Sequence, residues 1–277
     1  MSTTVLVDIV TVAGPDAQKF LHSLVSQDVA TLDAGAERWS FLLQPQGKVV
    51  GFFRIAHLAK ATGSSEAPHT AAETAADTFE LVLDAGAGAA VRDALQRYLI
   101  RTKATLTLAE GVERPGLDEA ARIAAGLPRW GREITESTVP NETGLTLVAV
   151  NFTKGCYVGQ ELVERIDSRG GNVPKRLCFL RLGASIVPDG GLARLAREGK
   201  DVGTITSAAL DPASGRAIAL GYVRREVGDG GQLDVRWGVD GADVAIVEPL
   251  PIAVAAIGGD AATPVRRGAP RFTSGRP

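Results

Sequence analysis

Pro174 separates two kinds of residue pattern, and that break limits the fold more than any other feature of the chain. Before it, apolar residues recur at helical spacing between short β-branched and aromatic runs. After it, helical spacing gives way to short strand-like runs punctuated by glycine and proline. A strand has an apolar period of two and a helix of 3.6, so neither half can adopt the other's packing.

In the first half, residues 5–10 read as a strand. Gly14-Pro15-Asp16 ends it and begins a helix on which Ala17, Phe20, Leu21, Leu24 and Val25 share one face. His22 lies off that stripe and is expected at the surface. Residues 38–43 and 48–58 read as strands joined by the turn Gln44-Pro45-Gln46-Gly47, and residues 79–83 as a further strand. Val91, Ala94, Leu95, Tyr98 and Leu99 mark a second helix, followed by a strand over 104–108. This order predicts an α+β layered sheet with its helices on one face. Residues 118–125 form a short helix that Gly126-Leu127-Pro128 stops, and residues 133–147 are rich in turns. In the second half, strands over 177–182, 201–207, 217–224, 232–237 and 244–249 predict a small antiparallel barrel, and residues 192–198 fit either a helical turn or an extended segment. The expected division is 1–175, with a flexible loop at about 60–78 that holds His69; a barrel over 176–257; and a disordered tail over 258–277.

A chain of 277 residues with 45% apolar and 22% charged residues has the composition of a globular protein with a large core. Its net charge of −2 gives no general attraction to nucleic acid or to an anionic membrane. The run Arg165, Arg169, Lys175, Arg176 and Arg181 is a local basic cluster, which by default is a solvated face. No charged segment followed by an apolar stretch opens the chain, and no apolar run reaches the roughly 18 residues of a membrane span, so a cytoplasmic location is expected. The two cysteines lack CxxC spacing and the three histidines are scattered, so neither a disulfide framework nor a protein-held metal is expected.

Residues 151–170, NFTKGCYVGQELVERIDSRG, hold the strongest chemical signal. A helix is predicted over 159–169, with Leu162, Val163 and Ile166 on one face and Glu161, Glu164, Arg165 and Arg169 off it. Cys156 then lies just ahead of a helix start, where unpaired N–H groups favour an anion, and Lys154 adds positive charge. Such surroundings favour a reactive thiolate, whereas burial as a small apolar side chain is the alternative for any cysteine. Gly155 and Gly159 point to a sharp turn or a close backbone approach.

Lys154-Gly155-Cys156-Tyr157-Val158-Gly159-Gln160-Glu161, with Arg165 following, resembles the K-G-C-Y-x-G-Q-E motif of the folate-binding YgfZ family, a relative of the glycine-cleavage T-protein. The resemblance extends to Gly14-Pro15-Asp16-Ala17, Ser26-Gln27-Asp28-Val29, the hairpin from Leu42 to Lys48, Arg122-Ile123-Ala124-Ala125-Gly126-Leu127-Pro128, Pro140-Asn141-Glu142, and the pieces at 203–207 and 219–223. It implies a T-protein-like cloverleaf of mixed α/β subdomains with a small C-terminal antiparallel β-barrel, a central tetrahydrofolate pocket, and the cysteine loop at its rim.

By the same resemblance, Cys156 is the candidate reactive thiol, and Asp84, Lys154, Tyr157, Gln160, Glu161, Arg165 and Arg176 are candidate folate-binding residues. Tyr157 offers a ring to stack on a pterin, Arg176 a charge for the folate's glutamate tail, and Gln160 and Glu161 alternatively serve the loop's own N–H groups. Two positions depart from the family. Residues 49–53, Val-Val-Gly-Phe-Phe, lack the carboxylate that T-proteins use in aminomethyl transfer, and Ala124 stands where the family has a glutamate for the pterin edge. The implied function is that of an accessory protein, transiently partnered with iron–sulfur proteins, supporting iron–sulfur cluster assembly or repair and iron–sulfur-dependent tRNA modification, without direct nucleic-acid contact and without aminomethyltransferase activity. The alternatives are a tetrahydrofolate-dependent one-carbon transferase or demethylase that uses other acids, and a scaffold that binds a partner protein and no small molecule.

Overall fold

The computed structural model describes residues 2–59, 77–188 and 193–251. The expected loop at 60–78 lies almost wholly outside the described residues, as does the expected tail.

The first half builds a five-stranded antiparallel sheet in the order β2-β3-β4-β1-β5 from β1 (Ser2–Ala13), β2 (Glu37–Leu43), β3 (Val49–His57), β4 (Thr78–Asp84) and β5 (Thr105–Leu117). Both α1 (Ala17–Leu24) and α2 (Gly88–Gln96) lie on one face of it. There Phe20, Leu21, Leu24, Val91 and Leu95 close a core over Val10, Val12, Phe53, Ile55, Phe79, Leu81 and Leu83. The period-two alternation of β4, with residues 79, 81 and 83 inward, is what presents that core.

β1 and β5 exceed their predicted lengths because backbone pairing continues beyond the apolar run, from Ser2↔Leu117 to Ala13↔Thr105. The added part of β5 is a solvent-facing edge, which tolerates Gly111, Pro115 and Gly116. α2 stops at Gln96, short of Tyr98 and Leu99. Bonds from Tyr98 N–H to the Leu95 carbonyl and from Leu99 N–H to the Gln96 carbonyl tighten the chain into a turn, leaving Tyr98 exposed.

A register shift at Val7/Ile9 turns the buried Asp8 toward α2. Its carboxylate accepts the N–H groups of Gly86 (2.8 Å), Gly88 (2.9 Å) and Gly111 (3.1 Å), and so caps a helix whose own N-cap residue, Ala87, has no side-chain acceptor. Asp8 carries no sequence signal for this role, because its partners lie about 80 and 100 residues away along the chain.

The second face of the sheet is covered by connecting chain. Phe41, Leu43, Val49 and Phe52 pack against Ile134, Leu145, Ala149, Val150, Tyr157 and Val163. That chain contains α3 (Glu119–Ala124), capped by Asp118 and stopped by Gly126 at φ +70°, then a 3-10 turn over Pro140–Glu142, α4 (Thr146–Ala149) and α5 (Gln160–Ser168).

Six antiparallel strands then close into a barrel: β6 (Lys175–Leu182), β7 (Arg194–Arg197), β8 (Lys200–Leu210), β9 (Ala217–Arg224), β10 (Gln232–Trp237) and β11 (Gly241–Glu248). The undecided segment near 192–198 thus contains the extended strand β7. β9 reads Ala-Ile-Ala-Leu-Gly-Tyr-Val and is buried on both faces. Ala217, Ala219 and Val223 fill the barrel, while Ile218, Leu220 and Tyr222 meet Ile123 of α3 and Leu250. Cys178 belongs to the barrel core, where burial pushes its thiol up to about 11.

Among the described residues no helix is long and apolar enough to cross a membrane.

Candidate functional site

The loop that holds Cys156 is fastened at both ends and open in the middle. At its start, Asn151 Oδ1 accepts the N–H groups of Thr153 (2.8 Å) and Lys154 (2.9 Å) and the Thr153 hydroxyl, an Asx turn made by one side chain. Asn151 N–H reaches the Ser26 carbonyl, and the Ser26 hydroxyl donates to the Ala149 carbonyl at 2.6 Å. Gln27 Nε2 donates to the Val148 carbonyl at 3.0 Å.

Lys154 is the central fastening. Its ammonium donates to the His22, Val25 and Gln27 carbonyls, at 2.6 Å and 3.1 Å for the last two, and lies 5.3 Å from the Tyr157 ring centre. Those carbonyls stand at and beyond the C-terminal end of α1, where helix acceptors lack internal partners. Lys154 is therefore committed to the chain itself and is not a free positive charge beside the thiol. Burial pushes its pKa down to about 8, against the opposing pull of the Asp28 carboxylate.

At the far end, Gly159 has φ +78° and forms the N-cap of α5. A Cβ there would stand 2.4 Å from the Gln44 carbonyl oxygen and 2.8 Å from Leu43 Cβ, and a Cβ on Gly47 would stand 2.7 Å from Leu162 Cβ. The two glycines let the β2–β3 hairpin and the start of α5 touch backbone to backbone. Gly155 differs. It has no positive φ, and a Cβ would meet nothing within 4 Å. Beside it Cys156 is exposed.

The remaining candidates fall into separate surroundings. Gln160 Oε1 accepts the Tyr157 N–H at 2.9 Å, so this side chain serves the loop's own backbone. Tyr157 is buried with the core on the second sheet face; among the described residues its hydroxyl has no hydrogen-bond partner, and burial raises its pKa. Glu161 and Arg165 form an exposed pair 3.9 Å apart along α5. Arg176 Nη2 donates to Asp229 (2.7 Å) and the Val227 carbonyl (3.1 Å) within the barrel's own loop. Asp84, at the end of β4, accepts the Trp130 N–H at 2.8 Å, and burial raises its pKa against the opposing pull of that bond and of Arg129 and Arg122. Ala124 is exposed and lines a cavity of about 230 Å³ with Phe179, Ile218 and the Arg181–Glu248 pair.

Two features had no sequence signal. His22 is half-buried, not at the surface as expected; its Nδ1 accepts the Val29 and Ala30 N–H groups at 3.3 and 3.2 Å. Burial and Lys154 lower its pKa, outweighing the nearby Asp28. Glu133 is the second. It is fully buried, accepts the Ser207 hydroxyl (2.6 Å), the Arg129 N–H (2.9 Å) and Arg122 Nη1 (3.3 Å), and its carbonyl accepts the Tyr222 hydroxyl (2.9 Å). Arg122 in turn holds Glu119 at 2.7 Å. This network joins α3 and its following loop to β8 and β9 of the barrel. Among the described residues no three His, Cys, Asp or Glu side chains group as a metal site.

Residues 175–251 match the glycine cleavage T-protein C-terminal barrel domain. An aminomethyltransferase of Rippkaea orientalis (strain PCC 8801 / RF-1) is 34% identical over 113 residues, 41% of this chain and 30% of that protein. An aminomethyltransferase of Thermotoga neapolitana is 32% identical over 166 residues, 58% of this chain and 41% of that protein. The chain thus covers less than half the length of either relative. The crystal structure of the glycine cleavage system aminomethyltransferase T from Bartonella henselae superposes with a TM-score of 0.74 at 17% identity, over 91% of this chain and 86% of that one. The fold is that of the glycine-cleavage T-protein, and the chain is related to that protein in sequence through its C-terminal barrel.

Proposed function

We propose that this chain is a tetrahydrofolate-binding accessory protein that supports iron–sulfur cluster assembly or repair in the cytoplasm, with Cys156 as its working group. The observation that carries the reading is the build of the cysteine loop. Three carbonyl bonds to Lys154 and the Gly159–Gly47 contact hold it at both ends, while between them Cys156 is exposed and Gly155 has open space where a side chain would be. A thiol held out on a rigid support is placed to meet another molecule.

The start of β3 argues against aminomethyl transfer. Gly51 leaves no room for a side chain, since a Cβ there would stand 2.3 Å from Val91 Cγ2, and Phe52 and Phe53 are packed in the cores on either face of the sheet. No carboxylate is available on that stretch to move a proton.

The folate part rests on the T-protein fold and on the aminomethyltransferase relatives. One observation favours the alternative of a one-carbon transferase. Asp84 is a half-buried carboxyl whose pKa burial raises, and a carboxyl in such a setting is suited to proton transfer.

Calorimetry with tetrahydrofolate and complementation of a deletion strain test the proposal together. Heat of binding by the wild type, with Cys156→Ala failing to restore iron–sulfur enzyme activities under oxidative stress, is the expected result. Absence of heat removes the folate reading, and full rescue by Cys156→Ala removes the thiol. Folate-dependent one-carbon transfer that disappears in Asp84→Asn would move the assignment to the transferase.

A further inference from the structure

A groove of about 830 Å³ opens where the segment after α5 meets the ends of β6 and β9. Its charged lining is Lys175, Arg224 and Arg225, with Glu142 and Glu226 also present and Val173 and Pro174 as the apolar part. Lys175 and Arg224 are directly opposed across the β6–β9 ladder, an arrangement in which like charges repel.

The neighbouring arginines on the same barrel are matched within the chain: Arg176 by Asp229 at 2.7 Å, and Arg181 by both Glu248 oxygens at 2.9 and 3.2 Å. The groove cations are not. Among the described residues the carboxylate that Arg224 meets is Glu226, at 3.8 Å between side chains that are both 63% exposed. Lys175 rests over the Tyr222 ring at 4.6 Å, and among the described residues neither it nor Arg225 has a carboxylate within ion-pair distance. Glu142, whose pKa burial raises and the nearby Lys175 lowers, lies in the same lining as an acidic group among these cations.

We infer that this groove is a docking surface for an acidic segment of a partner protein, bound extended with its carboxylates on Lys175, Arg224 and Arg225. Two features select a peptide. Glu142 and Glu226 in the lining would repel the unbroken charge of a phosphate backbone, whereas a peptide can space its carboxylates between them. Val173 and Pro174 give apolar side chains between those carboxylates a surface to rest on. The groove follows directly on α5, whose nine residues span about 13 Å. A partner held there is engaged at the opposite end of that helix from Cys156. The inference concerns the groove alone and does not require any role for the thiol or for folate.

The test uses the full chain and a fluorescein-labelled octapeptide of glutamate and leucine, read by anisotropy at low and moderate salt, with a glutamine-for-glutamate peptide as control. The wild type is expected to bind saturably and more weakly as salt rises. Arg224→Glu is expected to weaken binding about tenfold without lowering Tm, because the new opposite-charge pair with Lys175 offsets the loss of the long, exposed pair with Glu226. A merely structural arginine would not give that combination. Arg225→Gln, which breaks no side-chain hydrogen bond or ion pair among the described residues, is expected to weaken binding several-fold. Arg236→Glu, opposite Arg194 at another place on the barrel, is expected to leave binding unchanged. The inference is overturned by lack of saturable binding, by equal binding of the glutamine peptide, by equal loss in Arg236→Glu, or by an oligonucleotide of matched charge displacing the peptide better than unlabelled peptide does.

Discussion

Gly155 and Gly159 are four residues apart and identical in the sequence, yet they answer to different constraints. Gly159 adopts φ +78° with a backbone carbonyl where its side chain would be, so Gly159→Ala should lose at least about 1–2 kcal/mol of stability in denaturant unfolding. Gly155→Ala should leave unfolding unchanged, since nothing lies within 4 Å of its missing side chain. If Gly155→Ala nevertheless impairs complementation, the space beside Cys156 is used by something outside the chain. If complementation is also unaffected, that space has no function. His22 supplies a pH signature at the same scale. Its folded pKa lies below 6.5, so the unfolded chain takes up the proton first. Stability is therefore complete above about pH 6.5 and falls as the pH drops below that toward the folded value. Protonation also removes the acceptor of the Val29 and Ala30 N–H groups. His22→Gln, which can still accept, should show a smaller difference in Tm between pH 7.5 and 5.5 than the wild type.

Among elements, α1 and the cysteine loop are bound by one side chain. Lys154→Met keeps much of the apolar stem but removes the donor to three carbonyls, and should cost about 1–3 kcal/mol and release the loop. Faster hydrogen exchange over 22–29 and 151–157, with exchange in the barrel unchanged, is the expected mark. Helix spacing was readable for α1 because its apolar face is regular, and the strands showed in period-two runs. The destination of Lys154 was not readable. Within the motif it reads as a charge beside a thiol, and only the fold brings the end of α1, some 130 residues away along the chain, beneath it. Gly159 was legible as a site of close approach, but its partner, the hairpin turn at 44–47, was not.

For the molecule as a whole, the junction with the barrel depends on a buried ionic network. Glu133→Ala would take from Arg122 the fully buried one of its two carboxylates and leave Ser207 without its acceptor, and should cost about 3 kcal/mol, with the barrel becoming separately susceptible to protease; Glu133→Gln, which can still accept, should cost less. Glu133 lies in a stretch that reads only as turns, and nothing local marks it as a core residue. Its partners come from α3, its following loop and β8, so its role exists only once sheet, linker and barrel have met. The candidate folate ligands behave similarly. Their residue types were legible, but Gln160, Arg176 and Lys154 prove to hold the chain's own groups, while Asp84 stands apart on β4 beside Trp130.

Residue order alone determined most of the helices and strands, with β7 undecided and α4 unmarked, and that Cys156 lies in a short loop ahead of a helix, because these follow from apolar period and from local turn chemistry. Tertiary structure alone decided which charges are free. Lysine and arginine look alike in the sequence whether their partner is a distant carbonyl, a carboxylate across a strand, or no carboxylate within ion-pair distance among the described residues. Lys154 and Arg176 found partners, whereas Lys175 and Arg225 were left facing a groove, and long-range pairing made the difference.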